Sequence, residues 1–274
     1  MRAYLGAIWD SRFFWLSLVR MDLRSRYRGS VLGILWSLLH PIAMTAILCV
    51  VFSCVFGQDL RIYAPLVFTG LTFWGFFAAS VVQGCNCFFQ GESYIRQYPA
   101  PMAIYPLRNV LGAAFHFMIG LGLAIAIGLL VGPDLNRNPD ATRLHQLSAL
   151  PSLLPTCILL LLFGWGLSIL FGLLSVRFRD TRHLTEIGLQ GLFYLTPIMY
   201  RIDAFKAFKD KQWMAQLLLC NPLVSFLDLI REPILMGRIP SLTSYVTAGS
   251  VVLVLTIMAM IALRIEERRL IFHL

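Results

Sequence analysis

Along this chain apolar positions accumulate into long runs instead of alternating. Six stretches, at about 31–56, 64–89, 109–131, 151–175, 185–200 and 244–263, are almost free of charge. Runs of about 18 or more such residues suit a hydrocarbon core about 30 Å thick. Each predicts a transmembrane α-helix, because backbone polar groups in lipid must be satisfied within the segment. The fifth stretch is short and holds Gly188, Gly191 and Pro197. The pattern predicts one all-α integral membrane domain over 1–274 with six transmembrane helices, and Pro41 as a bend in the first.

The connections are patterned too. Over residues 1–30, Asp10, Ser17, Arg24 and Arg28 fall on one narrow helical stripe, while Leu5, Ile8, Trp9, Phe13, Leu16, Val19 and Leu23 cover much of the remainder. This predicts an amphipathic helix in the headgroup layer, basic side toward water or phosphate. Plain charge anchoring of the first span is the other reading of the same arginines. Gly29 and Gly33 have the spacing of small residues that let helices approach closely. In the 90–108 loop, Gly91 and the prolines at 99, 101 and 106 bracket a two-turn polar helix that ends before Pro99. In the 176–184 loop, Asp180 or Thr181 is placed to cap the helix that follows. Residues 201–243 predict two short amphipathic external helices between spans five and six, the second opened by Asn221 and Pro222 and closed by Gly237 and Pro240.

Composition agrees with a membrane class: 58% of residues are hydrophobic and 14% charged, against roughly a quarter charged in soluble domains. The net charge of +9 is therefore not a nucleic-acid signal. Lys and Arg gather in the N-terminal segment, the 90–108 and 176–184 loops and the C-terminal tail, and by the positive-inside rule both termini are expected in the cytoplasm. Residues 1–28 are too charged for a cleavable signal peptide, so the first span is expected to be retained. The six cysteines lie mostly in apolar runs and imply no disulfide framework. Cys85 and Cys87, two apart, face different sides of a helix and make a poor metal pair.

What the six stretches lack narrows the chemistry. They hold no Asp, Lys or Arg, one Glu (Glu186) at an edge, and two isolated histidines, His40 and His116. Ion-coupled carriers need intramembrane ionisable groups, and embedded transferases need them in clusters. None of the three lysines (Lys206, Lys209, Lys211) sits in a Gly-x-x-x-x-Gly-Lys phosphate loop. If the protein moves cargo uphill, another polypeptide supplies the energy. A passive channel or scaffold remains open at this point. The rigid helix after Gly91 is a lever for a partner to push, and the 176–184 loop is a second contact.

The stretch DLRSRYRGSVLGILWSLLHPIAMTAILCVVFS (22–53) resembles the start of the membrane subunits of ABC-2 type polysaccharide exporters, the permeases for O-antigen, capsule and teichoic acid chains. YPAPMAIYPLRNV (98–110), FRDTRHLTEIGLQGLFYLTPIMY (178–200) and NPLVSFLDLIREPILMG (221–237) match in the same order, so the resemblance spans nearly the whole chain. Gln97, preceded by Arg96, stands where a lysine is usual in this neighbourhood.

The resemblance implies an inner-membrane homodimer with a channel between its copies, and two copies of a separate ATPase that bind ATP and Mg. This chain itself would hold no cofactor or metal and no catalytic residue. It implies ATPase contacts at Glu92, Ser93, Tyr94, Ile95, Arg96, Arg179, Asp180 and Thr181, a gate from the two external helices, and a polysaccharide on undecaprenyl diphosphate as cargo. For such cargo Arg20, Arg24, Arg26 and Arg28 are the candidate diphosphate ligands, since guanidinium pairs bidentately with phosphate oxygens. Trp74, Phe77, Gln83, Asn86, Gln90, Phe193, Tyr194 and Tyr200 are the candidate channel lining, aromatic faces for sugar rings and amides for hydroxyls. The competing expectations are an ABC-2 permease for a small hydrophobic drug or lipid and, less compatible with the missing carboxylates, a membrane glycosyl- or acyltransferase.

Overall fold

The computed structural model describes residues 2–97, 100–133, 142–200, 216, 218 and 221–273, and every regular element among them is helical. The amphipathic N-terminal segment is two helices, not one: α1 (Arg2–Asp10) and α2 (Arg12–Tyr27). They part at Ser11, whose hydroxyl donates back to the Ala7 carbonyl at 2.9 Å, a local bond that competes with helix continuation. Gly29 and Gly33 then adopt φ of 78° and 50°. Left-handed backbone is what glycine permits, and nothing lies within 4 Å of a Cβ placed on either. The pair turns the chain out of α2 into the membrane instead of packing two helices together.

The first span, α3 (Trp36–Phe56), therefore starts five residues later than hydropathy predicts, after one tight turn over Gly33–Leu35. α4 (Leu60–Cys85) follows, capped by Asp59 accepting from the Arg61 amide at 2.9 Å. It stops at Asn86, and the helix α5 (Cys87–Gln97) begins at once, four residues before Gly91. Phe88 and Phe89, predicted as the end of the second span, thus belong to α5. Next come α6 (Ile104–Val131), the short helix α7 (Arg143–Ala149), α8 (Leu153–Arg177) and α9 (Thr181–Leu195). α10 (Pro222–Arg231) winds into a wider π turn over Glu232–Met236 that Gly237 closes at φ 62°, and α11 (Leu242–His273) ends the chain. The predicted helix at 212–220 lies almost wholly outside the described residues.

Five helical stretches among the described residues are long and apolar enough to cross a bilayer: Gly33–Phe56, Leu60–Cys85, Ile104–Val131, Arg143–Arg177 and Leu242–Glu267. The fifth predicted span is α9, whose 15 residues rise only about 22 Å. It ends where Thr196, extended at φ −101° and ψ 133°, leads into Pro197, the conformation that proline favours in its predecessor.

The bundle is organised around α4 and α8. On α4, Ser80 and Gly84 lie one turn apart; on α8, Gly164, Ser168 and Gly172 repeat at the same four-residue spacing. A Cβ on Gly84 would stand 2.7 Å from the Ser168 Cα, and one on Gly172 would stand 3.0 Å from the Gly84 carbonyl oxygen. These small residues let the two backbones touch. α6 closes on α4 through Gly120, against Thr72, and α11 on α8 through Gly166, against Leu255. Cys85 and Cys87 are both buried but separate, Cys85 toward Thr185 and Cys87 toward the Ser168 carbonyl. Toward the outer end, Phe163 and Phe226 stack with centroids 4.5 Å apart, continued by Phe73 and Phe77.

Replacing Gly84 by alanine puts a methyl into the Ser168 backbone. Overpacking of this kind costs about 1–3 kcal/mol. Gly84→Ala is expected to lower the unfolding midpoint in detergent, whereas Gly122→Ala, with nothing within 4 Å of its Cβ, is expected to leave it unchanged or raise it. Equal melting of the two variants would show that the seam does not set the packing.

Candidate functional site

The end of the bundle where the cytoplasmic contacts are expected is built from α5 and the α8–α9 turn. α5 buries Phe88, Gly91 and Ile95, which recur at helical spacing, and leaves Ser93, Arg96 and Gln97 exposed. Gly91 is required here: a Cβ would stand 2.4 Å from the Tyr105 ring, which packs over it. Glu92 and Arg96 pair along the helix at 2.9 Å, and Tyr94 packs edge-on to Phe14 of α2. Of the five residues expected at this contact, Ile95 is an anchor facing inward and the other four are reachable.

At the second contact Phe178, Arg179 and Asp180 are exposed, and Thr181 is buried. The Thr181 hydroxyl donates to the Phe178 carbonyl at 2.6 Å, holding the turn. Asp180 occupies the cap position of α9 but makes no side-chain cap bond, contrary to expectation, and is exposed.

A half-buried node ties this face to the bundle. The Tyr4 hydroxyl donates to Glu267 of α11 at 3.1 Å and accepts from the Ala103 amide at 3.3 Å, and Trp165 of α8 donates to the Ala103 carbonyl at 3.0 Å. Burial, and then the Glu267 carboxylate, push the Tyr4 phenol well above its ordinary pKa, so it stays a protonated donor. Three elements, α1, the turn after α5 and α11, thus meet on one phenol, and α8 joins them through the Ala103 carbonyl. Residues 263 apart in the chain carry no sequence signal of this kind.

The four candidate arginines do not act as one cluster. Arg20, Arg24 and Arg28, four residues apart, share one face of α2 and border an open cleft of about 760 Å³ with Phe13, Ser17 and Met21. Arg26 is turned about 200° from Arg24 and reaches α6, where its Nη1 lies 2.8 Å from His116 Nε2. Below it Asp22 receives both Nε and Nη2 of Arg108, a buried arginine on α6. That forked pair fastens α2 to the bundle, and composition alone does not reveal it. A basic residue just inside the third span, behind Pro106 and Leu107, was the available hint.

The eight candidate lining residues fall into two groups. Trp74 meets Phe77 at 5.2 Å and Phe193 at 5.3 Å, and Phe193 meets Tyr194 at 5.4 Å, forming an aromatic strip toward α9. Phe77 is largely buried in this strip, Tyr194 is exposed, and the Tyr200 hydroxyl donates to the Tyr194 carbonyl at 2.9 Å. Gln83 is nine residues from Trp74, half a turn round α4, and with Gln90 lines a cleft facing α2 and α6. Asn86 sits at the break between α4 and α5.

At the outer end stands an arginine that pattern reading passed over. Arg231 is buried, and its guanidinium donates to the carbonyls of Pro197 at 2.7 Å, Ile198 at 2.8 Å and Leu66 at 3.0 Å. It binds α10 to the broken end of α9 and to α4. The signal was a lone cation on an otherwise apolar helical face.

Known proteins place this architecture. The family model of the ABC-2 type transporter membrane domain matches residues 14–235. An O-antigen export system permease protein, RfbA, of Klebsiella pneumoniae is 29% identical over 237 residues, 86% of this chain and 85% of its own. The Myxococcus xanthus protein of the same name is 26% identical over 90% of each chain. The polysialic acid transport protein KpsM of Escherichia coli is 23% identical over 81% of each. With five long apolar helices and a family match over most of its length, this multi-pass membrane protein belongs to the ABC-2 type transporter family.

Proposed function

We propose that the chain is the transmembrane subunit of an ATP-driven exporter that moves a lipid-linked polysaccharide, of O-antigen or capsular kind on undecaprenyl diphosphate, from the cytoplasm across the inner membrane. One observation carries this reading: relatives named for O-antigen export and polysialic acid transport align over more than four fifths of both chains. The chain is not an enzyme. It holds no phosphate-binding loop, and ATP with Mg is bound and hydrolysed by a separate subunit.

Two ATPase copies serve a homodimer of this chain, with both termini cytoplasmic. Support for a second copy comes from α3, where only 11% of the most apolar window is buried within the protomer, against 67% in α4. Each copy contributes six spans, with α9 as the short fifth. The ATPase pushes on Glu92, Ser93, Tyr94, Arg96, Arg179 and Asp180, while Ile95 and Thr181 hold those residues in place. Arg20, Arg24 and Arg28 attract the diphosphate from the cytoplasmic leaflet, each able to offer a forked pair of donors. The aromatic strip from Trp74 to Tyr194 offers faces to the sugar chain.

Co-expression with the ATPase encoded beside it is expected to yield a stable complex whose ATP hydrolysis rises severalfold on adding lipid-linked glycan. Arg96→Glu, on the exposed face of α5, is expected to abolish that rise. No complex, or no stimulation of the wild type, would remove the exporter reading.

The double variant Arg24→Lys/Arg28→Lys keeps the charge but loses the fork. Charge-assisted bonds are worth about 1.5–3 kcal/mol, so surface glycan is expected to fall about tenfold, with lipid-linked glycan accumulating inside. Undiminished export would return these arginines to anchoring.

A further inference from the structure

Arg26 is exposed near the end of α2. The nearest carboxylate on its own helix, Asp22, is taken by Arg108, and among the described residues Arg26 makes no ion pair. Its partner is an imidazole. Because Arg26 can only donate, His116 must accept at Nε2 and is neutral with its proton on Nδ1, 3.0 Å from the Tyr27 hydroxyl oxygen. Tyr27 then accepts from His116, and its own O–H remains available. Ser30 Oγ likewise accepts from the Gly33 amide at 3.1 Å and keeps its proton to donate.

These donors border one open cavity of about 420 Å³ between α3, α4 and α6 beside the end of α2, with His40 on its α3 wall, a size typical of ligand sites. Its remaining walls, Trp36, Pro41, Phe76 and Phe117 among them, are mainly apolar. His116 lies eight residues beyond Arg108 on α6, about 12 Å deeper along the helix. A second cleft of about 550 Å³, bordered by Gln90, Arg108 and Asn109, shares Arg26 and Gln83 with this cavity. A polar path thus runs from the base of α6 to a pocket holding one fixed positive charge and several free donors. Arg26 is exposed at the mouth of the cavity, so its guanidinium is open to an incoming anion.

We propose that the Arg26–Tyr27–His116 cavity is a phosphate-binding site for the headgroup of a membrane lipid, separate from the Arg20, Arg24 and Arg28 face. Arg26 forks onto the phosphate oxygens, Tyr27 and Ser30 donate to them, and neutral His116 holds Arg26 and Tyr27 in position. The headgroup comes from one of two sources, a polyprenyl diphosphate cargo or a resident anionic phospholipid. The cargo source rests on the exporter reading; phosphate recognition does not.

The test uses the complex with its ATPase, in phosphatidylcholine nanodiscs, titrated with radiolabelled farnesyl diphosphate. Arg26→Gln and His116→Leu are each expected to weaken binding about tenfold or more, the loss of a charge-assisted bond. Tyr27→Phe, which keeps the ring packed edge-on to His116 at 5.9 Å, is expected to weaken it about two- to tenfold. Arg12→Gln removes the same charge from the same helix outside the cavity and is expected to bind as wild type. Nanodiscs containing phosphatidylglycerol separate the sources: unchanged farnesyl diphosphate affinity assigns the site to cargo, and competition that Arg26→Gln abolishes assigns it to phospholipid. Wild-type affinity in Arg26→Gln and Tyr27→Phe complexes that melt normally would overturn the proposal. That failure with glycan-stimulated ATP hydrolysis intact would leave the exporter reading standing. Headgroup binding without stimulation would do the reverse.

Discussion

In lipid the hydrophobic effect does not press helices together, since a leucine is as well solvated by acyl chains as by another helix. The α4–α8 seam supplies what is missing. Five small side chains, Ser80 and Gly84 against Gly164, Ser168 and Gly172, bring the two backbones into contact, where many weak dispersion contacts add up. The other spans take their places from this pair: α6 lies on α4, α11 lies on α8, and the aromatic residues fill the widening gap at the outer end. Two exposed segments at one end of the bundle hang from the same two helices, α5 from the end of α4 and the Arg179–Asp180 turn from the end of α8.

Charge inside the membrane is placed where a second function offsets its cost. Arg108 is neutralised by Asp22 and thereby docks α2. Arg231 donates to carbonyls that the broken end of α9 and the start of α4 present. Arg26 has only a neutral imidazole. Three arginines of equal charge thus have different meanings, set by what each guanidinium faces. A structural cation is satisfied by the protein, whereas a binding cation is left for a ligand to satisfy.

Much of this was legible in the sequence. Apolar runs locate the spans because the bilayer sets their length, the start of α10 follows from Asn221 and Pro222, and the end of α5 follows from Pro99. Errors arose where a local signal had two physical uses. Gly29 and Gly33 have the spacing of a packing motif but serve a turn, while the real packing stripe, Gly164 to Gly172, is hidden inside a run where every residue is apolar or small. Hydropathy cannot separate Phe88 and Phe89 from the second span, because α5 buries the same kind of side chain that a span does.

By itself the sequence determined the class, the position of most long apolar segments and the want of an ATP-binding loop. Those properties depend on composition and on near neighbours in the chain. Tertiary structure decided which side chains share a wall. It split four arginines between two faces of α2, divided the amides from the aromatics across α4, and joined Tyr4 to Glu267 and Arg231 to Leu66. Such pairings depend on how helices are rotated against one another, and that rotation is set by close contacts between residues far apart in the chain.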